Sequence, residues 1–522
     1  MTFKLLSTDL LALLACAVLL ALLWSKKQKL RRDPEPPGPP GLPCIGNLYD
    51  LPNPKDSPWA KYMAWSRQYE SDVIRLNALG VNLIVANSME VARELLDRRS
   101  AIYSDRPRTV MLSELCGFGR AMGFIPYNEL WKESRRMARQ QFNSLPVKRF
   151  RPVEMRSTHR FLHSLLLHPD DLTEGLRQLA GATIMSAAYD IDVQPQDDPF
   201  VQTGEEAATV MAETADAGSF LVDTIPLLKY IPEWFPGAGF KRQARVWHAV
   251  VNKLFKDPYD VCRLRWAAGE LGECAAKSLM DSFGQAAQNP SYADMVIESA
   301  LGSLYVGGAD TTVSALGTFF LAVTLNPSIQ LKAHAELDRV VGAHRLPDFR
   351  DQPSLPYINS IVKETLRWRP VIPLNIPHRL TENDVYNGVY LPKGSLIVAN
   401  IWAMLHDEKV YPDPSRFNPD RFLKDDGTLD PAVRDPSSAI FGFGRRICPG
   451  RFMALDSIWI AVACVLACFE IGKAVGEDGE EITPNGEYKL GFICHPKPFP
   501  CMIKPRSKEH EQLVRALLED TF

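Results

Sequence analysis

The chain has 522 residues, 46% hydrophobic and 23% charged, with a formal net charge of -3. That balance fits a globular protein with a large core and excludes a disordered one. The lack of a basic excess excludes nucleic acid as a partner on global charge. Ten cysteines, at positions 16, 44, 116, 262, 274, 448, 464, 468, 494 and 501, show neither the paired spacing of a zinc site nor the density of a disulfide scaffold. A reducing compartment fits them, as does the lack of any Asn-x-Ser/Thr sequence with x other than Pro.

Leu10 to Trp24 is an unbroken apolar run, and counted from Leu5 it approaches the ~17–25 residues that cross a bilayer. Lys26, Lys27, Lys29, Arg31 and Arg32 follow at once, which places the C-terminal side in the cytoplasm. The competing reading is a cleaved signal peptide, whose basic residues should precede the apolar core; here they follow it. Residues 1–25 are therefore read as an uncleaved anchor and 26–45 as a basic, proline-rich hinge. The prolines of Pro36-Pro-Gly-Pro-Pro-Gly-Leu-Pro43 fix φ and make an extended, semi-rigid spacer.

Val73 to Val85 reads as two short strands about Gly80, and Ser88 as the N-cap of a following helix. The apolar, irregular stretch through Met111, Leu115, Phe118, Met122 and Phe124 either caps the core or lines a pocket. Trp131 and Arg135 share a helix face. Arg136, Arg139, Lys148, Arg149 and Arg151 close behind form either a solvated face or a docking patch for an acidic partner. From about 156 to 291 the pattern is helical and holds no catalytic constellation.

Residues 293–326 predict a long apolar helix with Gly307-Gly-Ala-Asp-Thr-Thr312 at its centre. Two glycines there cost up to ~1 kcal/mol each relative to alanine. A buried Asp with two threonines is costly unless hydrogen-bonded, and hydroxyl bonds to nearby carbonyls can open a helix. These irregularities suit close backbone approach and proton passage; the alternative is a kinked core helix with a satisfied Asp310. Glu364 and Arg367 pair at i,i+3 on another helix. Val371 to Ile376 is extended and apolar, His378 follows, and 385–398 reads as short strands.

In Phe441-Gly-Phe-Gly-Arg-Arg-Ile-Cys-Pro-Gly450 the glycines let a loop fold under a flat cofactor, leaving Cys448 as a thiolate ligand for haem iron. The alternative is a glycine-rich turn holding an inert cysteine. Arg446 suits a carboxylate such as a haem propionate. Residues 454–469 form an apolar helix whose N-terminal positive end would favour a thiolate at Cys448. Gly491-Phe-Ile-Cys494 supplies a last pocket-facing turn, and a charged tail ends the chain.

The complete pattern Phe441-x-x-Gly444-x-Arg446-x-Cys448-x-Gly450 resembles the haem-binding loop of cytochromes P450. Four further motifs stand in that family's order: Trp131-x-x-x-Arg135, Gly308-Ala-Asp-Thr311, Glu364-x-x-Arg367 and Pro419-Asp-Arg-Phe422. The resemblance covers nearly the whole chain. Trp402-Ala-Met-Leu-His-Asp407 and the Phe441–Arg446 segment look like fungal P450s of secondary metabolism and xenobiotic oxidation.

The resemblance implies a mainly helical P450 fold with a small β-rich lobe and one N-terminal transmembrane helix, with the catalytic domain at 46–508 and a charged tail at 509–522. It implies haem ligated by Cys448, with Phe441 shielding the sulfur and Gly450 closing the loop. Trp131, Arg135, His378 and Arg446 would meet the propionates. Asp310 would pass protons inward and Thr311 hold the reacting oxygen. Glu364, Arg367 and Arg421 would lock the loop, and Phe118, Phe124, Ala309, Ile372, Leu374 and Phe492 would line the substrate pocket. The implied reaction is monooxygenation of an apolar molecule such as a terpenoid, a steroid-like compound or a polycyclic aromatic. Its partners are O2, the membrane and NADPH-cytochrome P450 reductase, with cytochrome b5 as a further donor, and its place is the endoplasmic reticulum membrane with the catalytic domain cytoplasmic. No nucleotide fingerprint or flavin module occurs in the chain, so the electron donor is expected to be separate. A haem-thiolate isomerase or dehydratase needing no reductase, and a non-enzymatic haem carrier or sensor, are the rival readings.

Overall fold

The computed structural model describes residues 34–53, 56–215, 218–285 and 288–517. The anchor expected at 1–25 and the basic part of the hinge lie outside the described residues.

Helices of nine residues or more carry most of the fold: α1 Pro58–Gln68, α2 Glu129–Phe142, α3 Arg151–Leu167, α4 Leu172–Tyr189, α5 Pro199–Thr214, α6 Gly239–Ala267, α7 Pro290–Leu325, α8 Pro327–Val340, α9 Pro356–Trp368, α10 Arg451–Cys468 and α11 Lys508–Ala516. The strands are β1 Val73–Ala78, β2 Val81–Ala86, β3 His378–Arg379, β4 Asp384–Tyr386, β5 Val389–Leu391, β6 Leu396–Ala399, β7 Phe469–Val475, β8 Glu481–Ile482, β9 Tyr488–Lys489, β10 His495–Pro496 and β11 Cys501–Pro505. The largest sheet runs β1-β2-β6-β3, with β2 and β6 parallel. The hairpin turns at Leu79 and Gly80, both at positive φ, as a tight two-residue connection requires. Ser88 caps the next helix by accepting from the Val91 N–H.

Helix α7 is the axis of the molecule. Asn289 caps it by accepting from the Tyr292 N–H, and Pro290 starts it where a missing N–H costs nothing. It packs against α2, α4, α5, α6 and α10, so apolar residues occupy most of its circumference. Gly302 is needed for that closeness, because a Cβ there would lie 2.2 Å from the Phe255 ring. The helix runs unbroken through Gly307 and Gly308, so the expected opening at its centre does not occur. Both α7 and α10 are long and apolar enough to cross a membrane, but most of each is buried within the fold.

Both ends of the described chain pack onto the fold. The proline-rich segment does not stand free as a spacer: Pro37 O accepts from the Arg75 N–H at 2.9 Å, and Glu35 pairs with Arg75 at 2.9 Å. The charged tail expected at 509–522 begins inside a helix, since α11 runs from Lys508 to Ala516. Ser507 caps α11, and Val514 is buried in the core beside α3 and α10. Alternating charge with one apolar stripe is the pattern of a docked amphipathic helix.

Candidate active site

A cavity of about 310 Å³ lies between the Cys448 loop, α2 and the centre of α7. The loop is held by the Cys448 N–H donating to Phe441 O at 2.8 Å. Gly444 lets it dock on the segment before it: φ is +56°, and a Cβ would lie 2.0 Å from Leu96 O. Cys448, Phe441 and Gly450 all line the cavity. Burial pushes the Cys448 thiol up, while the Gly450 N–H and the charges of Arg135 and Arg451 pull the other way.

One end of the cavity is unusually cationic. Arg106, Arg135 and Arg446 all line it, and among the described residues none forms an ion pair. Burial lowers all three, to about 10 for Arg135 and about 9 for Arg446, and well below the usual guanidinium value for Arg106. Asp105 is the one acid opposing this at Arg106 and Arg446. Arg106 donates to the carbonyls of Gly123, Ile376 and Pro377, and Arg446 to those of Ser104, Met122 and Ile125. Arg446 therefore does not offer its whole fork to a carboxylate, as the sequence suggested. Trp131 lies under its guanidinium, and Arg135 makes no hydrogen bond among the described residues.

These residues fit a haem. Its two carboxylates would supply the missing negative charge, and Cys448 stands on the same cavity wall as a potential ligand. His378 lines the cavity with these residues. Its Nδ1 meets Tyr103 O at 2.7 Å, and a carbonyl can only accept, so Nδ1 carries the hydrogen. Burial, with the charges of Arg106 and Arg446, holds the ring well below its ordinary pKa.

Leu304, Gly307, Gly308, Thr311 and Ala315 form the stripe of α7 that meets the cavity. Thr311 donates to Gly307 O at 2.6 Å, leaving its oxygen free to accept. Asp310 lies off the stripe and outside the lining. Its Oδ2 is 3.1 Å from Nε2 of His495.

Of the expected pocket residues, Phe124, Ile372 and Phe492 line the cavity; Phe118, Ala309 and Leu374 do not. Phe118 is fully buried and backs Phe124 edge-on, their ring centroids 6.2 Å apart. Ala309 sits on the side of α7 that faces Gly204 of α5. Leu374 bridges Asn400 and packs with Tyr62, Ile74, Leu76 and Val85, because bends at 371–373 break the alternation that would pair it with Ile372. Met211 from α5 and Ile493 join the lining, and no Asp or Glu is present in it.

Behind the loop, Glu364 accepts from Arg367 at 2.7 and 2.8 Å, from Arg421 at 3.2 Å and from the Asn418 N–H at 2.7 Å. Arg367 also donates to Leu405 O at 3.0 Å. A buried carboxylate that accepts four hydrogen bonds ties these segments together. Beside the loop, Lys132, Arg135, Arg136, Arg139, Arg445 and Arg451 line a second recess. Arg151 is not part of it, being paired with Asp456 at 2.8 Å.

Sequence reasoning missed Arg106 and His495. Arg106 stood in view as Asp105-Arg-Pro107, and only its burial without a carboxylate marks it as functional. His495 follows directly on the turn expected to face the pocket.

A family model described as Cytochrome P450 matches residues 36–502. Cytochrome P450 monooxygenase 98 of Postia placenta is 43% identical over 518 residues, which cover 99% of each chain. Cytochrome P450 monooxygenase ple1 of Rhodocybe pseudopiperita is 41% identical over 493 residues, or 94% of each. Tryptamine 4-monooxygenase of Psilocybe cyanescens is 38% identical over 492 residues, 93% of this chain and 96% of its own.

Proposed function

The chain belongs to the cytochrome P450 family of haem-dependent monooxygenases, and on that premise we propose that it inserts one oxygen atom of O2 into a neutral, apolar small molecule with electrons from NADPH through a separate reductase. The observation that carries this reading is the cavity itself: Cys448 and Thr311 both line it, and beyond its cationic end the lining is mostly apolar and holds no carboxylate. A protonated amine would find no counter-charge there. That argues for a neutral terpenoid, steroid-like or polycyclic aromatic substrate over an amine of the kind that names the Psilocybe relative.

When bound, the haem supplies oxygen activation and oxygen-atom transfer. Cys448 would hold the iron through its sulfur, which the Gly450 N–H and the Arg135 charge favour as a thiolate. Arg106, Arg135 and Arg446 would neutralise the cofactor's carboxylates. Phe124 and Phe492, with centroids 6.2 Å apart, orient the substrate and exclude water. Thr311 keeps its own proton on Gly307 O, so it accepts a hydrogen bond at the reacting centre, and fresh protons must come from elsewhere.

The basic recess flanking the loop suits an acidic reductase surface, since charge of one sign steers transient encounter. Leu221, Leu227, Tyr230, Trp234 and Phe235 are exposed within one short stretch between α5 and α6. Together with the apolar run at 10–24, that patch supports attachment to the endoplasmic reticulum membrane with the catalytic domain cytoplasmic. The test is a panel of apolar substrates in microsomes containing the protein and a co-expressed reductase. NADPH-dependent hydroxylated or epoxidised product is the expected result, and turnover without NADPH would overturn the reading.

A further inference from the structure

We infer that His495 is the residue through which Asp310 draws protons from solvent, a positioning and relay residue for proton supply to the cavity. This rests on the monooxygenase reading: insertion of one oxygen atom reduces the other to water, which consumes two protons and two electrons. Thr311 faces the cavity with its own hydrogen already committed to Gly307 O. Asp310, its neighbour, is turned outward by the helical rotation per residue and cannot draw protons from the cavity it would supply.

What meets Asp310 on that outer side is an imidazole. His495 Nε2 is 3.1 Å from Oδ2, and the two side chains are 25% and 23% exposed, so the pair stands between solvent and the helix interior. Among the described residues, His495 is the only ion-pair partner of Asp310. Its strand is fixed to α7 at two points. Ser314 donates to Cys494 O, and Pro496 packs so closely on Gly317 that a Cβ there would lie 3.0 Å from its ring. The contact is thus built by the tertiary structure, not a chance surface approach. The charged neighbours are Glu205 on α5, which acts on Asp310 and pairs with Arg177 of α4 at 3.2 Å, and Glu174 beside it. On the strand side, Lys489 stands opposite His495, and Glu487 pairs with Lys497 at 2.6 Å.

Imidazole both donates and accepts protons near neutrality, which lysine, arginine or an amide cannot do. In the relay the ring takes one proton from solvent and releases one through Nε2 to Oδ2 of Asp310. Asp310 hands it on beside Thr311, and no electrons move.

The haem-loaded full chain, with reductase and NADPH but no added substrate, provides the test, read as the share of consumed O2 released as hydrogen peroxide instead of water. His495→Phe should raise that share several-fold with an unchanged thermal midpoint and reduced-CO spectrum. His495→Gln keeps a hydrogen-bond donor but cannot relay, so it should behave like His495→Phe; recovery of the wild-type share in His495→Gln would reduce the residue to a structural prop and overturn the inference. Independently, the imidazole nitrogen signals of His495 in the diamagnetic ferrous-CO protein, assigned by their loss in His495→Gln, should move in Asp310→Asn, and unmoved signals would overturn the pairing. A raised share in Asp310→Asn alone would overturn the role of His495 and leave the monooxygenase reading standing. No NADPH consumption at all would remove that reading, while the nitrogen signals would still decide the pairing.

Discussion

The guanidinium of Arg446 sits 4.3 Å from the centroid of the Trp131 ring, and its donors go to the carbonyls of Ser104, Met122 and Ile125. One side chain thus ties the Cys448 loop to the segment before α2. It does so with a charge that no carboxylate among the described residues pairs. Replacement by leucine should cost roughly 1.5–3 kcal/mol for each hydrogen bond lost. Lysine should rescue poorly, because a point charge cannot reach three carbonyls in a plane. Thermal midpoint and haem content of Arg446→Leu and Arg446→Lys check this, and full rescue by lysine would contradict the clamp.

Cys448→Ser removes the proposed thiolate. The reduced, CO-bound protein should show the red-shifted Soret band of a thiolate ligand, and the variant should lack it. A normal band in Cys448→Ser would assign ligation elsewhere.

Glu364→Ala leaves Arg367 buried with its partner gone and the loop support open. Breaking a buried ion pair from one side costs ~3–5 kcal/mol, so the variant should lose most of its stability and its haem. Denaturant titration of soluble protein measures the loss, and a change under ~1 kcal/mol would show that the network does not lock the fold.

Glu154 gives a pH signature. Burial pushes its carboxyl up to about 8, with Ser457 donating to one oxygen at 2.8 Å. The folded state therefore holds a proton that the unfolded chain releases near its ordinary pKa of about 4.3. Stability from this group is full below that value and falls as pH rises toward 8, by up to ~1.4 kcal/mol per pH unit. Glu154→Gln should flatten the decline of the thermal midpoint between pH 5 and 8 relative to wild type, and an unchanged slope would refute the assignment.

Charge reversal in the recess beside the loop tests docking. Arg139→Glu combined with Arg445→Glu should slow reduction by the reductase at low salt, with wild type and variant converging at high salt as screening removes the steering. An equal deficit at every ionic strength would point to damage at the cavity instead.

Local pattern determined much of this protein before any contact was known. Cys448, Glu364 and Thr311 could be singled out because each stands in a short motif whose spacing is set by one turn or one helix face. Helix α7 was legible from its apolar length, and the hairpin from its turn. What only the tertiary structure decided were encounters between distant segments. Asp310 could be named from its motif, but His495 became its partner only when β10 settled against α7, 185 positions later in the chain. Arg106 became part of the cationic end only when its neighbourhood was buried without an acid to pair it. Phe118, Ala309 and Leu374 left the pocket wall for the same reason. Whether an apolar residue meets a cavity or the core depends on helix rotation, bends and packing partners that composition does not encode.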